Sequence, residues 1–306
     1  MKHLTEILGE LSLVCANFGD GLTLRDVLQD WFAFLGGRPG EVVVLDNGSD
    51  SQTRQASLDC FAEGTIDKLL LIRPGHPDTP KERAHLAEHT APSIASKRYL
   101  LFFKFDTLPY RDGREHWLVK ATECLDRADT FAVGGSFNVM SKHHEGPWPG
   151  WYFSHKCSEN FALMKREIFI RAMEEYAGQY ISSGFRTTNP GSATGQDRYL
   201  IELAWERYIE KHQVYTLVQE EDPSWTVFHT NVHGERLGKV RTDYLARKQV
   251  TKFLNAGCSG ARPPGIYYGQ PSMDAWLARL REQFGGSAMG PYWRAIKRSL
   301  ALKARG

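Results

Sequence analysis

The chain has 306 residues and a mass of 34.7 kDa, with 42% hydrophobic and 24% charged residues. That balance excludes a mainly disordered chain and is ample for a buried core. Lys and Arg number 38 against 36 Asp and Glu, a formal net charge of +2, which argues against a surface built as a nucleic-acid footprint.

Taken in chain order, Leu11 to Ala16 (LSLVCA) reads as a strand buried on both faces, followed by the turn cluster Asn17-Phe18-Gly19-Asp20-Gly21. Leu24, Val27, Leu28, Trp31 and Phe32 recur at helical spacing, so a helix is expected from Thr23 to Phe34, stopped by Gly36-Gly37-Arg38-Pro39-Gly40. EVVVL (residues 41–45) is a second strand, broken by Asp46-Asn47-Gly48-Ser49-Asp50, with a polar helix from about Ser51. KLLLI (68–72) is a third strand, Arg83 to Ser96 can be helical, and Tyr99 to Phe105 is a fourth strand ending at Asp106. Strands alternating with helices predict an α/β fold with a largely parallel sheet and ligands at the carboxyl ends of its strands.

After Phe131 to Gly135 the texture changes. Ser141 to His155, rich in aromatic residues, His, Pro and Gly, reads as a long loop, and Asn160 to Tyr176 as a helix. A Gly/Ser/Thr/Pro loop covers residues 187–195, and a further helix is expected from Asp197 to Lys211. Val214 to Val218 and Thr226 to Phe228 are short strands. No internal repeat or low-complexity tract is present. The expected organisation is one domain at 8–256, then a Gly/Pro linker and basic helical tail at 257–306.

Cysteines 15, 60, 124, 157 and 258 are odd in number and widely spaced, which suits free thiols in a reducing compartment. The first residues lack a cleavable signal pattern, and apolar runs are strand-length, so the expected address is cytoplasmic. The tail from Trp276 to Arg305 carries seven Arg and Lys against Glu282 alone, interleaved with apolar residues. Such helices admit peripheral contact with anionic lipid at the inner face of a membrane. Packing on the main domain with solvated basic faces is the simpler reading.

Two carboxylates follow apolar strands directly, Asp46 and Asp106, where they can face a ligand crevice or cap a turn. Carboxylate and phosphate oxygens suit a hard cation such as Mg²⁺ or Mn²⁺. G-x-x-x-x-G-K-[ST] and H-E-x-x-H are absent, as is a G-x-G-x-x-G after the first strand. His229 and His233 have the spacing of a helical zinc pair, but Thr-Asn-Val between them does not favour a helix. Trp148 to Phe153 could form an aromatic platform for a sugar, or simply pack.

The order LSLVCANFGDG, VVVLDNGSDSQT, LLFFKFDT, SENFALMKREIF, GQDRYLIELAWERY and TVFHTN resembles a GT-A glycosyltransferase. It is most similar to the large inverting family-two group that includes bacterial polysaccharide and rhamnosyl transferases, over about Leu11 to Asn231. The resemblance implies a nucleotide-sugar donor, bound by Ala16, Asn17, Asp46, Asn47 and Ser49; Lys104 could itself face the diphosphate or simply snorkel from its strand. It implies a divalent cation (Mn²⁺ or Mg²⁺) at Asp106 and His229, and a catalytic base at Asp197. Glu159 and Asn160 would precede the helix bordering the acceptor, with Trp151 on the same side. The acceptor would be a glycan, a lipid-linked hydroxyl or a small metabolite. Two departures stand out: Lys104 replaces the first acid of D-x-D, and Gln196 replaces the first acid of an E-D pair. A fold that binds glycan or nucleotide without turnover, or a sugar nucleotidyltransferase, are the alternatives. The latter normally has a Gly-rich basic loop after the first strand, which Asn17 to Gly21 lacks.

Overall fold

The computed structural model describes residues 3–73, 88–113, 117–135, 142–182 and 200–251, together with 254, 266–267 and 270–271. The expected tail, the loop at 187–195 and Asp197 lie outside the described residues.

A short helix α1 (Leu4–Gly9) leads into β1 (Leu11–Asn17), α2 (Leu24–Leu35), β2 (Glu41–Asp46), α3 (Ser51–Ala62) and β3 (Lys68–Leu71). α1 has no counterpart in the sequence reading, and the starts of the others follow it within one or two residues. α2 forms because Leu24, Val27, Leu28, Trp31 and Leu35 bury one stripe. It ends where Gly36 turns left-handed at φ 85° and the Gly37 N–H donates to the Phe32 carbonyl at 2.9 Å, a Schellman closure. α3 starts where the Asp50 carboxylate accepts the Thr53 N–H at 2.8 Å.

Residues 88–94 are helical and precede β4 (Tyr99–Phe103). That strand ends two residues earlier than the sequence suggested, because the chain turns at Lys104 and starts β5 (Thr107–Arg111) in a separate ribbon. α4 (Trp117–Leu125) and β6 (Thr130–Gly134) follow.

Two expectations need correction. The loop at 141–155 contains the hairpin β7 (His144–Glu145) and β8 (Trp151–Ser154). Gly146 sits so close to Trp151 that an added Cβ would lie 2.7 Å from its backbone carbon, which lets the turn close. The helix expected at 160–176 is β9 (Phe161–Lys165) followed by α5 (Arg166–Ser182). A short apolar run such as FALM suits either element by periodicity alone. Burial on both faces between β4 and β6 selects the strand. Glu159 and Asn160 therefore precede a strand, not a helix. α6 (Leu200–His212), β10 (Tyr215–Gln219), β11 (Trp225–His229) and α7 (Glu235–Leu245) complete the main body. Two-residue strands β12 (Ile266–Tyr267) and β13 (Gln270–Pro271) pair with each other.

Among the described residues the large sheet has nine strands in the order β3-β2-β1-β4-β9-β6-β10-β8-β7. Its neighbours pair so that only β8 and β9 run against the others. The fold is thus α/β, with a mostly parallel sheet flanked by helices, as the sequence leads one to expect.

Side chains alternate along each strand into two cores, one on each face. Leu11, Leu13, Val42, Val44, Leu101 and Phe103 join Trp31 and Phe34 of α2 and Trp117 of α4. Val14, Val43, Leu100, Phe102 and Met164 join Phe169 of α5 and Trp205 of α6 on the other face. None of the described helices is long and apolar enough to cross a membrane.

The sheet edge at the strands' amino ends is held by Glu41. Its buried carboxylate accepts the Ser12 hydroxyl at 2.6 Å, the Ser96 N–H and hydroxyl at 2.7 Å each, and pairs with Lys68 at 2.7 Å. Burial alone would raise this carboxyl, but Lys68, Ser12 and Ser96 overcome it and hold it at about 2, against an ordinary 4.5. A depressed folded-state pKa means stability that is full above pH 4.5 and lost as pH falls toward 2. Glu41→Gln should cost roughly 2–4 kcal/mol at neutral pH. Urea unfolding at neutral and at acid pH checks this: the variant should lose less stability on acidification than the wild type.

Candidate active site

The feature that organises the site is the exit of β4. The turn closes with the Thr107 N–H on the Lys104 carbonyl at 2.8 Å, and β5 pairs antiparallel with β11 in a register that sets Thr107 opposite His229. Thr230 then fastens the ribbon: its N–H and its hydroxyl both donate to the Asp106 carbonyl, at 2.8 and 2.9 Å. The outcome is an Asp106 carboxylate, 4% exposed, whose Oδ2 lies 3.0 Å from His229 Nε2. Burial would raise the Asp106 carboxyl, but the His229 hydrogen bond, with His233 and Lys104 nearby, lowers it, so it is ionised.

His233 converges on the same carboxylate, with Nε2 3.9 Å from Asp106 Oδ2. It is held from behind by Asp20, which is wholly buried. Asp20 Oδ2 is 2.7 Å from His233 Nδ1, and Asp20 Oδ1 accepts the Gly234 N–H at 2.7 Å. The Asp20 hydrogen bond raises the His233 pKa, against a smaller opposing effect of burial. The two histidines do not share a helix: His229 ends β11 and His233 lies in the loop before α7. Sequence reasoning therefore sets the pair aside as a zinc motif and does not select His233 or Asp20. The only signal is the placement of Asp20 in the turn cluster after β1.

A cleft of about 760 Å³ opens over this point at the carboxyl ends of β1 and β4. Of the residues expected to bind a donor, Ala16, Asn17, Asn47 and Lys104 line it. Asn17 is 0% exposed, and neither its Nδ2 nor its Oδ1 meets a hydrogen-bond partner among the described residues. Asn47 Oδ1 is likewise unsatisfied, while its N–H donates to the Asn17 carbonyl at 2.8 Å. Asp46 and Ser49 stand behind the lining. Asp46 Oδ1 accepts the Ser49 N–H at 3.0 Å, and the Ser49 hydroxyl accepts the Gly19 N–H at 3.0 Å. They tie together the loops after β1 and β2, and burial raises the Asp46 carboxyl. Phe18, 60% exposed, also borders the cleft.

The opposite wall belongs to Lys104, Glu159 and Asn160. The Lys104 ammonium lies 2.7 Å from Glu159 Oε1 and 3.8 Å from Glu88 Oε1. Burial would lower the Lys104 pKa, but these carboxylates raise it, so the ammonium keeps its proton. Glu159 is 3% exposed, and burial together with Glu88 pushes its carboxyl well up despite Lys104. Its N–H donates to Glu202 Oε1 at 3.0 Å. Trp151 is not part of this wall. It is buried in β8 within the first core, with Lys120 5.6 Å from its ring centroid.

No protein-family model matches the chain, and no curated protein matches it. Among solved structures, a mannosyltransferase from Pyrobaculum calidifontis, in complex with GDP-Man and Mn²⁺, is similar at 17% identity and a TM-score of 0.47, over 96% of this chain and 80% of that one. S. aureus TarS (1–349) is similar at 12% identity and a TM-score of 0.44, over 92% and 74%. GalNAc-T7 with UDP, GalNAc and Mn²⁺ follows at 12% and 0.43, over 89% of this chain and 54% of that one. Likenesses this distant concern the course of the chain and leave its chemistry to its own residues.

Replacing Asn17 tests whether its amide is held for a ligand. A buried amide without partners is destabilising by about 1–3 kcal/mol. Asn17→Leu should therefore leave thermal stability without ligand unchanged or higher. Any nucleotide affinity should fall at least about tenfold, the size of one or two lost hydrogen bonds. Differential scanning calorimetry and titration calorimetry on the same samples would check both.

Proposed function

We propose that this chain is a glycosyltransferase that moves a sugar from a nucleotide-sugar donor to a hydroxyl acceptor, with inversion at the anomeric carbon. The observation that carries the reading is the ionised Asp106 carboxylate held against His229 at a cleft also lined by Asn17, whose amide has no partner among the described residues. An amide with a free donor and a free acceptor suits a nucleobase edge, and two imidazoles beside a carboxylate suit a diphosphate. In this reading Ala16, Asn17 and Asn47 seat the nucleoside, while Asp46 and Ser49 hold the loops that present them. His233, whose pKa the Asp20 hydrogen bond raises, adds positive charge in its protonated form where the leaving group gains negative charge.

The donor set fits a divalent cation in part. Asp106 and His229 would hold it with one oxygen and one nitrogen, leaving most of about six positions to donor phosphates and water. Among the described residues, no three His, Cys, Asp or Glu side chains are grouped to hold a metal alone. Bound Mn²⁺ or Mg²⁺ would supply Lewis acidity to the leaving diphosphate. Lys104, committed to Glu159, stands beside Asp106 as a fixed positive charge in place of a second acid. Asp197, just ahead of α6, is our candidate base, taking the acceptor hydroxyl's proton as that oxygen attacks opposite the diphosphate.

A second reading, a fold that binds nucleotide or glycan without turnover, draws on the same Lys104. Its ammonium occupies the place of a metal-binding acid and is already paired. The acceptor class, a glycan or a lipid-linked hydroxyl, and a cytoplasmic or membrane-peripheral address belong to the proposal and rest on the sequence.

Titration calorimetry with UDP, GDP, CDP and dTDP, with and without Mn²⁺, tests the reading. One nucleotide should bind selectively, and Asp106→Ala should weaken it by at least about tenfold, as expected for a lost charge-assisted contact. Absence of binding by all four would overturn the donor site. Asp197→Asn should keep nucleotide binding and abolish donor turnover; turnover retained in that variant would remove Asp197 as the base.

A further inference from the structure

The loop after β1 holds a carboxylate with no exposed surface, and both of its oxygens serve a loop far along the chain. Asp20 Oδ2 lies 2.7 Å from His233 Nδ1, 213 residues away, and Asp20 Oδ1 accepts the Gly234 N–H at 2.7 Å. Gly234 makes that bond from φ 62° and ψ −141°, backbone that a side chain would strain. Burying a carboxylate is costly, and this one is used wholly to hold one imidazole and the peptide after it.

The loop that carries Asp20 has little freedom of its own. The Gly19 N–H donates to Ser49 Oγ at 3.0 Å, and a Cβ on Gly21 would lie 2.5 Å from Thr53 Cα, so the loop is pressed against the start of α3. Asn17 and Phe18, at its head, line the cleft. The consequence appears at the imidazole. With Nδ1 on Asp20, the His233 side chain is 59% exposed and turns Nε2 into the cleft, 3.9 Å from Asp106 Oδ2. A carboxylate at Nδ1 keeps a proton there, which settles both the ring's orientation and what its other nitrogen presents.

Phosphate oxygens need N–H donors and positive charge. The side of the cleft under α6 and residues 88–94 offers few: Glu88, Glu159, Glu202 and Glu206 line it, Lys104 is paired with Glu159, and Lys156 stands near Glu206. The imidazole side is the better seat for a diphosphate.

We infer that Asp20 is a positioning residue for the donor's diphosphate: it ties the loop that seats the nucleoside to the loop that meets the phosphates, and holds His233 with Nε2 toward them. The word donor rests on the glycosyl-transfer reading; the tie between the loops rests on the hydrogen bonds themselves. Asp20 acts through His233, so one buried side chain couples the two seats.

A double-substitution cycle read by titration calorimetry on the full chain with Mg²⁺ tests this, with UDP, GDP, CDP and dTDP as probes. Asp20→Asn keeps the shape and replaces the carboxylate by an amide; His233→Gln removes the ring at an exposed position. Each should weaken the nucleotide that wild type binds by at least about tenfold, the scale of one charge-assisted hydrogen bond. The double variant should be no weaker than either single one, since both remove the same interaction. A merely structural Asp20 would add its loss to that of His233→Gln. Additive losses therefore overturn the inference, as does unchanged affinity in either single variant. If Asp20→Asn does not melt cooperatively, wild-type protein still decides. Long-range ¹H–¹⁵N correlation in mildly alkaline buffer should show a proton on His233 Nδ1, and a bare Nδ1 overturns the inference. Nucleotide binding that both variants leave intact removes this inference alone. Absence of binding by all four nucleotides removes the donor reading and this inference with it.

Discussion

The site depends on the register of one short ribbon. β5 and β11 pair so that Thr107 faces His229, and Thr230 doubles the closure on the Asp106 carbonyl. A slip of one residue would turn His229 to the other face and leave Asp106 without its imidazole. A two-stranded ribbon is marginal by itself in water. Here it is anchored by aromatic packing: the Trp225 ring lies 5.9 Å from Phe34 and 6.3 Å from both Trp117 and Phe161, centroid to centroid. Those rings belong to α2, α4 and β9, so the main hydrophobic core holds the register, and the register holds the acid–imidazole pair.

The alternation of strand side chains explains why one cleft has two kinds of wall. The sheet edge divides the space, and what hangs over each face is set by the helices packed there. α7 and the loop before it bring His233, fixed by the buried Asp20, to one side. α6 and residues 88–94 bring carboxylates to the other. Lys104 stands where the halves meet: its ammonium is paired with Glu159, yet its field still helps keep Asp106 ionised. The substitution of lysine for an acid at this position is thus matched by a buried glutamate nearby. Glu41 performs a parallel task at the opposite edge, where it joins β1, β3 and the approach to β4 with no part in the cleft.

Much of this was legible from local pattern. LSLVCA, EVVVL and YLLFF are apolar runs too short for anything but buried strands in an alternating context, and the stripe of α2 leaves little choice of face. Asp46 and Asp106 could be selected because they follow such strands directly, whereas Asn17, Asn47 and Lys104 were reached through the resemblance that the order of motifs carries. FALMK reads as helix from sequence, since a four-residue apolar run carries no period of its own, and only its seat between β4 and β6 makes it a strand. Trp151 was selected for its chemistry, and its burial in the first core is a matter of packing. Asp20, Glu88, Glu202, Glu206 and His233 were assigned no role by the sequence, since nothing local joins residues spread over the 213 positions between Asp20 and His233.

The sequence by itself therefore determined the α/β class, the strand ends that face a ligand and the acid at the exit of β4. Those follow from hydrophobic period and turn residues, which act over a few neighbours. Only the tertiary structure decided that His229 and His233 meet one carboxylate and that four glutamates share one wall. The pairing of Lys104 with Glu159 at 2.7 Å was decided in the same way. Each of these contacts joins residues far apart in the chain, through strand register and helix packing that no local pattern specifies.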